Sequence, residues 1–455
     1  MTRRVFVGGI VTSKSISELQ VIEHGILGVD ANGVIAFIED LEKLATDAAA
    51  YLKTHGWEQG TEVVQLEDGS FVCPGFIDTH TANTGRGMQL QLLDWLEELT
   101  FPEESKFQDV EYAKAMYASA VDRYLRSGTT TACIYATLHL EATKVLADIC
   151  HARGFRAFVG RCQMDRNSPA ICVEASASES CEHTVQLIHH CRELAGKNEA
   201  PLVQPILTPR FAISCSSELL AGIGELAKAY PDIPLQTHIC ENKREIEATR
   251  NLFPERSSYA DVYDHYGLLN ERMILAHAIH LSDAEIRLLL ERRCGLSHCP
   301  TSNMNLNSGL FRLMDLAKSG IKIGLGSDIS GGYAVGLLPV LREASTITRV
   351  LAMQDPAQAP APLEALYFFA TLGGAQVCGL EKRVGMLAPG YEFDALVVRT
   401  SARAGDAPVN PNLFVREQEP LASLFEKWLF CGDDRNIATV YVRGRPVCGA
   451  VPGRA

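Results

Sequence analysis

Apolar positions fall into two rhythms along this chain. Residues 4–38 carry short apolar runs, Val5–Val7, Gly25–Val29 and Val34–Ile38, and Asp30-Ala31-Asn32-Gly33 between the last two has hairpin-turn chemistry. Residues 39–57 have helical composition, and Val63–Leu66 returns to strand with Glu67-Asp68-Gly69 as a turn. From residue 72 the rhythm changes. Apolar runs at 72–77, 130–135, 157–160, 202–207, 235–238, 273–277, 295–298 and 321–328 alternate with helical stretches, the mark of βα units and a parallel sheet. Eight such runs predict a (β/α)8 barrel. After a helical stretch at 363–380, residues 384–398 and 439–447 read as strands again, around a Pro/Asn-rich loop at 407–412. The expected organisation is a β unit built from residues 1–72 and 385–455, with the barrel, residues 73–384, inserted between its halves.

Composition narrows the function classes. A chain of 455 residues needs at least two structural units. A formal net charge of −13 argues against nucleic acid or an anionic membrane surface as the main partner. No window has the length and apolarity of a membrane span, and the N-terminal residues alternate like a strand, unlike a signal peptide. The 14 cysteines contain no C-x-x-C pair and read as reduced, mostly buried thiols of a cytoplasmic protein.

The chemistry gathers at the ends of the barrel runs, where His80, Arg210, His238, His277, His298 and Asp328 stand. Any one of these histidines could be a hydrogen-bonded core residue. His80, His238, His277 and Asp328 at four strand ends of one barrel instead favour a metal, and imidazole with carboxylate suits zinc or ferrous iron. Glu241, three residues after His238, is placed to move a proton beside such a metal, although glutamate is also common in the first turn of a helix. Asp328 could ligate the metal, orient a water, or both, and could equally cap a turn. Arg210 offers a fork of donors and Phe211 a face for a planar ring; a surface arginine beside a core aromatic is the plainer alternative. His298 and Asn303 could line the site, and His139 could be structural.

Longer segments carry a resemblance. These are Pro74–His80, Leu92–Leu96 with Thr100–Pro102, Gly128–Ala132, Thr208–Phe211, His238–Asn242, Ala276-His277, Ser297–Asn303, Gly324–Gly332, Ala370–Ala375 and Gly432–Ile437. Through nearly its whole length the chain resembles the guanine deaminases of the amidohydrolase superfamily. The resemblance implies a TIM-like barrel with a small β-sandwich domain from both chain ends, one zinc per subunit, a homodimer, and hydrolysis of guanine to xanthine and ammonia. It assigns metal ligation to His80, His238, His277 and Asp328. Proton transfer falls to Glu241 and Asp328, and purine contact to Arg210, Phe211, His238, Glu241 and Asp328. One departure is local. The superfamily pattern has a second histidine two residues after the first, where i and i+2 of a strand face the same way. Here that position is Ala82, and a His-Ala-Pro-Gln-aromatic segment is missing after Thr81; Asn83 is a nearby polar substitute. The departure leaves open an alternative, a metal-poor relative that binds a purine or a protein without turnover.

Overall fold

The structure is a computed structural model that describes residues 2–82, 90–196, 200–329, 331–401, 409–416 and 418–450. Asn83 lies outside the described residues, as do Ser330 and part of the loop at 407–412. The hairpin expected at 25–38 forms: Val29 pairs with Ile35, and Gly33, at φ 81°, donates its N–H to Asp30 O. Its strands, Glu18–Val29 and Ile35–Asp40, join Arg3–Ser15, Thr61–Gln65 and Ser70–Pro74 in one mixed sheet. The late strands Ala395–Arg399, Ile437–Val442 and Arg445–Gly449 complete its eight. Both chain ends thus meet in this sheet, through antiparallel pairing of Ser70–Pro74 with Ala395–Arg399.

The barrel strands are β1 (Phe76–Thr81), β2 (Thr129–Tyr135), β3 (Arg156–Gly160), β4 (Val203–Pro205), β5 (Leu235–Ile239), β6 (Met273–His277), β7 (Gly295–His298) and β8 (Lys322–Leu325). They run parallel as two sheets of four, β1 to β4 and β5 to β8. A bridge between Leu207 and Leu235 joins β4 to β5. On the other side the Asp328 N–H donates to His80 O at 2.9 Å, and Thr79 Oγ1 donates to Leu325 O at 2.9 Å. These contacts close the ring. β1, β2 and β3 are buried along their whole length, as strands with packing on both faces must be.

One expected strand is two. The run at 72–77 splits, because Ser70–Pro74 belongs to the mixed sheet and Phe76–Thr81 to the barrel. Pro74 has no N–H to continue a ladder, and the chain turns at Gly75, where a Cβ would meet Thr130 Cγ2 at 2.2 Å. The run at 321–328 also shortens to Lys322–Leu325. Beyond it the backbone turns, and Asp328 takes a left-handed φ of 42°.

Between β1 and β2 a helical segment covers the mouth of the barrel. It starts at Leu92–Trp95, widens into a π-helical turn over Leu96–Thr100, and continues through Phe101–Ser105. Pro102 cannot donate to the carbonyl four residues back, and the wider turn lets Phe101 N–H reach Leu96 O. Leu92, Leu96, Thr100 and Glu104, four apart, line the same pocket.

Candidate active site

The C-terminal ends of the strands bring the expected residues together. His80 and His238 are the penultimate residues of β1 and β5, and His277 ends β6. Their ring nitrogens lie within 4.8 Å of one another, in the one such group found among the described residues. Asp328 adds a carboxylate, Oδ1 lying 3.3 Å from His80 Nε2 and Oδ2 3.8 Å from His277 Nε2. Glu241 Oε2 lies 3.4 Å from His277 Nε2. His277 at φ 67°, Ala278 at 52°, Cys240 at 48° and Asp328 at 42° all adopt conformations that non-glycine residues disfavour. Such strain at four positions around one pocket is characteristic of functional sites.

The donor set fits a metal. His238 Nδ1 lies 2.6 Å from Arg210 O and His277 Nδ1 lies 2.8 Å from Asn303 Oδ1, so in their neutral forms both rings carry the proton on Nδ1 and leave Nε2 to ligate, although at His277 burial is outweighed by Glu241 and Asp328, which raise its pKa. Burial keeps His80 neutral by lowering its pKa, and burial with the neighbouring His80 and His277 lowers that of His238 well below the usual value. Neutral imidazole is the ligating form. Burial opposes ionisation of Asp328, but His80 and His277 outweigh it and hold the carboxyl far below the usual range.

Glu241 is poised differently. It precedes the helix Lys243–Leu252, which Asn242 caps in a box with Glu245. Glu245 Oε2 accepts both the Glu241 N–H at 2.8 Å and the Asn242 N–H at 3.1 Å. The first-turn role that glutamate commonly fills therefore falls to Glu245, leaving the Glu241 side chain for the pocket. Its Oε1 accepts from Ser308 Oγ at 3.0 Å. Burial pushes its pKa up to about 7, the range suited to a group that takes and returns a proton.

Arg210 and Phe211 both line the pocket, Phe211 with its ring centroid 6.4 Å from that of His238. The Arg210 fork has a partner that the sequence reading missed. Glu104 grips it with both oxygens, at 2.7 and 2.9 Å, over the ring of Phe101. Tyr135, at the end of β2, is a second omission: its ring lies 4.8 Å from those of both His80 and His238. Its place at a strand end was the available signal; Glu104, inside a helix, offered none. Ala82 lines the pocket at the position two residues after His80. Asn303 supports His277, whereas His298 is buried against Phe311 at 4.4 Å, and His139 lines a separate groove with Glu174.

Known proteins share both sequence and architecture. Residues 71–447 match the amidohydrolase family. A probable guanine deaminase of Schizosaccharomyces pombe is 44% identical over 98% of this chain and 83% of its own length. The guanine deaminase of Dictyostelium discoideum is 40% identical over 98% of both chains, and the human one 36% identical over 97% of this chain and 96% of its own. Among solved structures, E. coli guanine deaminase superimposes with a TM-score of 0.85 at 30% identity, covering 99% of this chain and 100% of its own. Guanine deaminase from C. acetobutylicum, with guanine bound in the active site, gives 0.87 at 31%, covering 98% and 99%. The metal-competent cluster, the buried carboxylate of Glu241 beside it and this similarity along the full chain agree: the chain belongs to the amidohydrolase family, among the guanine deaminases.

Proposed function

We propose that this chain catalyses the zinc-dependent hydrolysis of guanine to xanthine and ammonia. The observation that carries the reading is the convergence of His80, His238, His277, Asp328 and Glu241 in one pocket with the aromatic and hydrogen-bonding residues a purine requires. His80, His238, His277 and Asp328 would hold the zinc, which when bound supplies the Lewis acidity that makes water nucleophilic near neutral pH. Phe211 provides a face for the purine ring and Arg210 donors for its edge. Glu241, titrating near neutrality, takes a proton from the attacking water and passes it to the ring nitrogen beside C2. Asp328, ionised at rest, accepts the remaining proton of the new hydroxyl and delivers it to the C2 amino nitrogen, so that the C2–amino bond breaks and ammonia leaves.

Ala82 is the observation that favours the alternative, a binding module without turnover. Against it stand three imidazoles and a carboxylate already within reach of one ion, one more than the three protein ligands of a catalytic zinc site. The reading extends to a two-unit chain, a β-sandwich from residues 1–72 and 385–455 and a barrel over 73–384, joined by the strand Ser70–Pro74. It also extends to a cytoplasmic location, since all 14 cysteines are unpaired and all but Cys181, Cys431 and Cys448 are buried, and, on the family resemblance alone, to a homodimer. No helix among the described residues is long and apolar enough to cross a membrane.

Xanthine formation from guanine, with bound metal quantified in the same sample, tests the reaction. The expected result is turnover that a chelator abolishes and zinc restores. Folded protein that holds zinc or guanine without forming xanthine would leave the binding module.

A further inference from the structure

The pocket has a second ionic feature besides the histidine corner, the buried pair of Glu104 and Arg210. Both side chains line the pocket, both are about nine-tenths buried, and the pairing is bidentate. The guanidinium lies against Phe101, Cys162 Sγ and Met164 Sδ, so Glu104 is its one anionic partner among the described residues. An arginine alone would make this wall a pure donor. The pair makes it a donor and an acceptor side by side, because each Glu104 oxygen retains a lone pair after binding Arg210. A carboxylate paired with arginine in an apolar wall is a strong acceptor for a ligand N–H.

Guanine has a matching edge. If C2 sits at the histidine corner, the five-membered ring lies farthest from it, and that ring carries one N–H donor beside acceptor nitrogen. We infer that Glu104 is a specificity-determining residue: its carboxylate accepts the five-membered-ring N–H of the free base, and so selects against purines substituted at N9. This inference rests on the guanine reading above and adds to it the residue that would enforce selection of the free base. A site built to bond an N–H leaves its acceptor unpaired when the N–H is replaced, and that mismatch discriminates far more than size alone.

The test compares guanine with 9-methylguanine on the zinc-loaded full chain, in wild-type protein and in Glu104→Gln, by steady-state kinetics and by quenching of tryptophan fluorescence, since Trp95 lines the pocket. Wild-type protein should favour guanine by roughly 100-fold or more in kcat/KM and in Kd. Glu104→Gln, which keeps the shape but removes the charge, should weaken guanine about tenfold, mainly through KM, leave 9-methylguanine nearly unchanged, and so narrow the ratio. Equal loss for both ligands, or a wild-type protein that accepts both alike, would overturn the inference and leave Glu104 as a brace for Arg210. The binding readout needs no variant and no turnover. Guanine bound selectively but not deaminated would support the role of Glu104 while refuting the deaminase reading; guanine deaminated with an unaltered ratio would do the reverse. Binding of neither ligand would overturn both.

Discussion

Two clusters of buried charge sit on the same barrel, and they are built on opposite rules. At the start of β3, Arg156 is fully buried and donates to Asp394 at 2.8 and 3.0 Å and to Glu392 at 2.7 Å. Arg443 and Arg383 add further donors to Glu392. Each acid there faces permanent cations, and although burial pushes the Glu392 carboxyl up, Arg156, Arg443 and Arg383 outweigh it and hold it at about 2. At the strand ends, Glu241 and Asp328 face imidazoles instead, and Glu241 rises to about 7. The first cluster joins the barrel to the segment leading into Ala395–Arg399 and holds its charges fixed. The second keeps one of its carboxyls, Glu241, near balance. Burial is common to both, and only the chemistry of the partners separates a structural tie from a reactive site.

Breaking each cluster should have separate consequences. Glu241→Gln should lower kcat by roughly 10²–10⁴-fold while the melting temperature and zinc content stay near wild type. Asp394→Asn should do the opposite: it leaves Arg156 short of a buried anionic partner and should cost about 3–5 kcal/mol of stability, measured by denaturant unfolding, with kcat of the folded fraction unchanged. Either variant losing both properties would mean that the clusters are not independent.

The same contrast explains what was legible in the sequence. His80, His238, His277 and Asp328 could be found because each follows an apolar run, so that its position at a strand end could be read from local pattern. Glu104 and Glu392 could not, since their roles depend on Arg210 and Arg156, which lie 106 and 236 residues away. Pro74-Gly75 did mark a break inside an apolar run, but its meaning, a transfer from one sheet to another, is set by the pairing with Ala395–Arg399. The π-helical turn at Leu96–Thr100 has no apolar period of its own.

Two smaller effects sharpen the comparison. Ala82 occupies the position facing the same way as His80, so Ala82→His should add a ligand and slow zinc loss to a chelator by roughly tenfold. No change would mean that the local backbone turns this side chain away from the ion. The arginine cluster should show itself in acid. Glu392 has a folded pKa of about 2 against an ordinary 4.5, so its contribution is complete above about pH 4.5 and is lost as pH falls toward 2, where the folded form also takes up the proton. Glu392→Gln should therefore flatten the dependence of unfolding free energy on pH across that window, leaving its slope near neutrality unaltered. A slope in acid equal to that of wild type would place the loss of stability elsewhere.

The central claim is that three imidazoles and one carboxylate suffice to hold the ion although Ala82 stands where a fourth imidazole is expected. X-ray absorption at the zinc edge of the loaded full chain tests it most directly. The expected spectrum has three imidazole nitrogens with oxygen ligands from Asp328 and solvent, and loses an imidazole in His277→Ala. Fewer than three imidazoles in the wild-type chain, or a spectrum that His277→Ala does not change, would contradict the account.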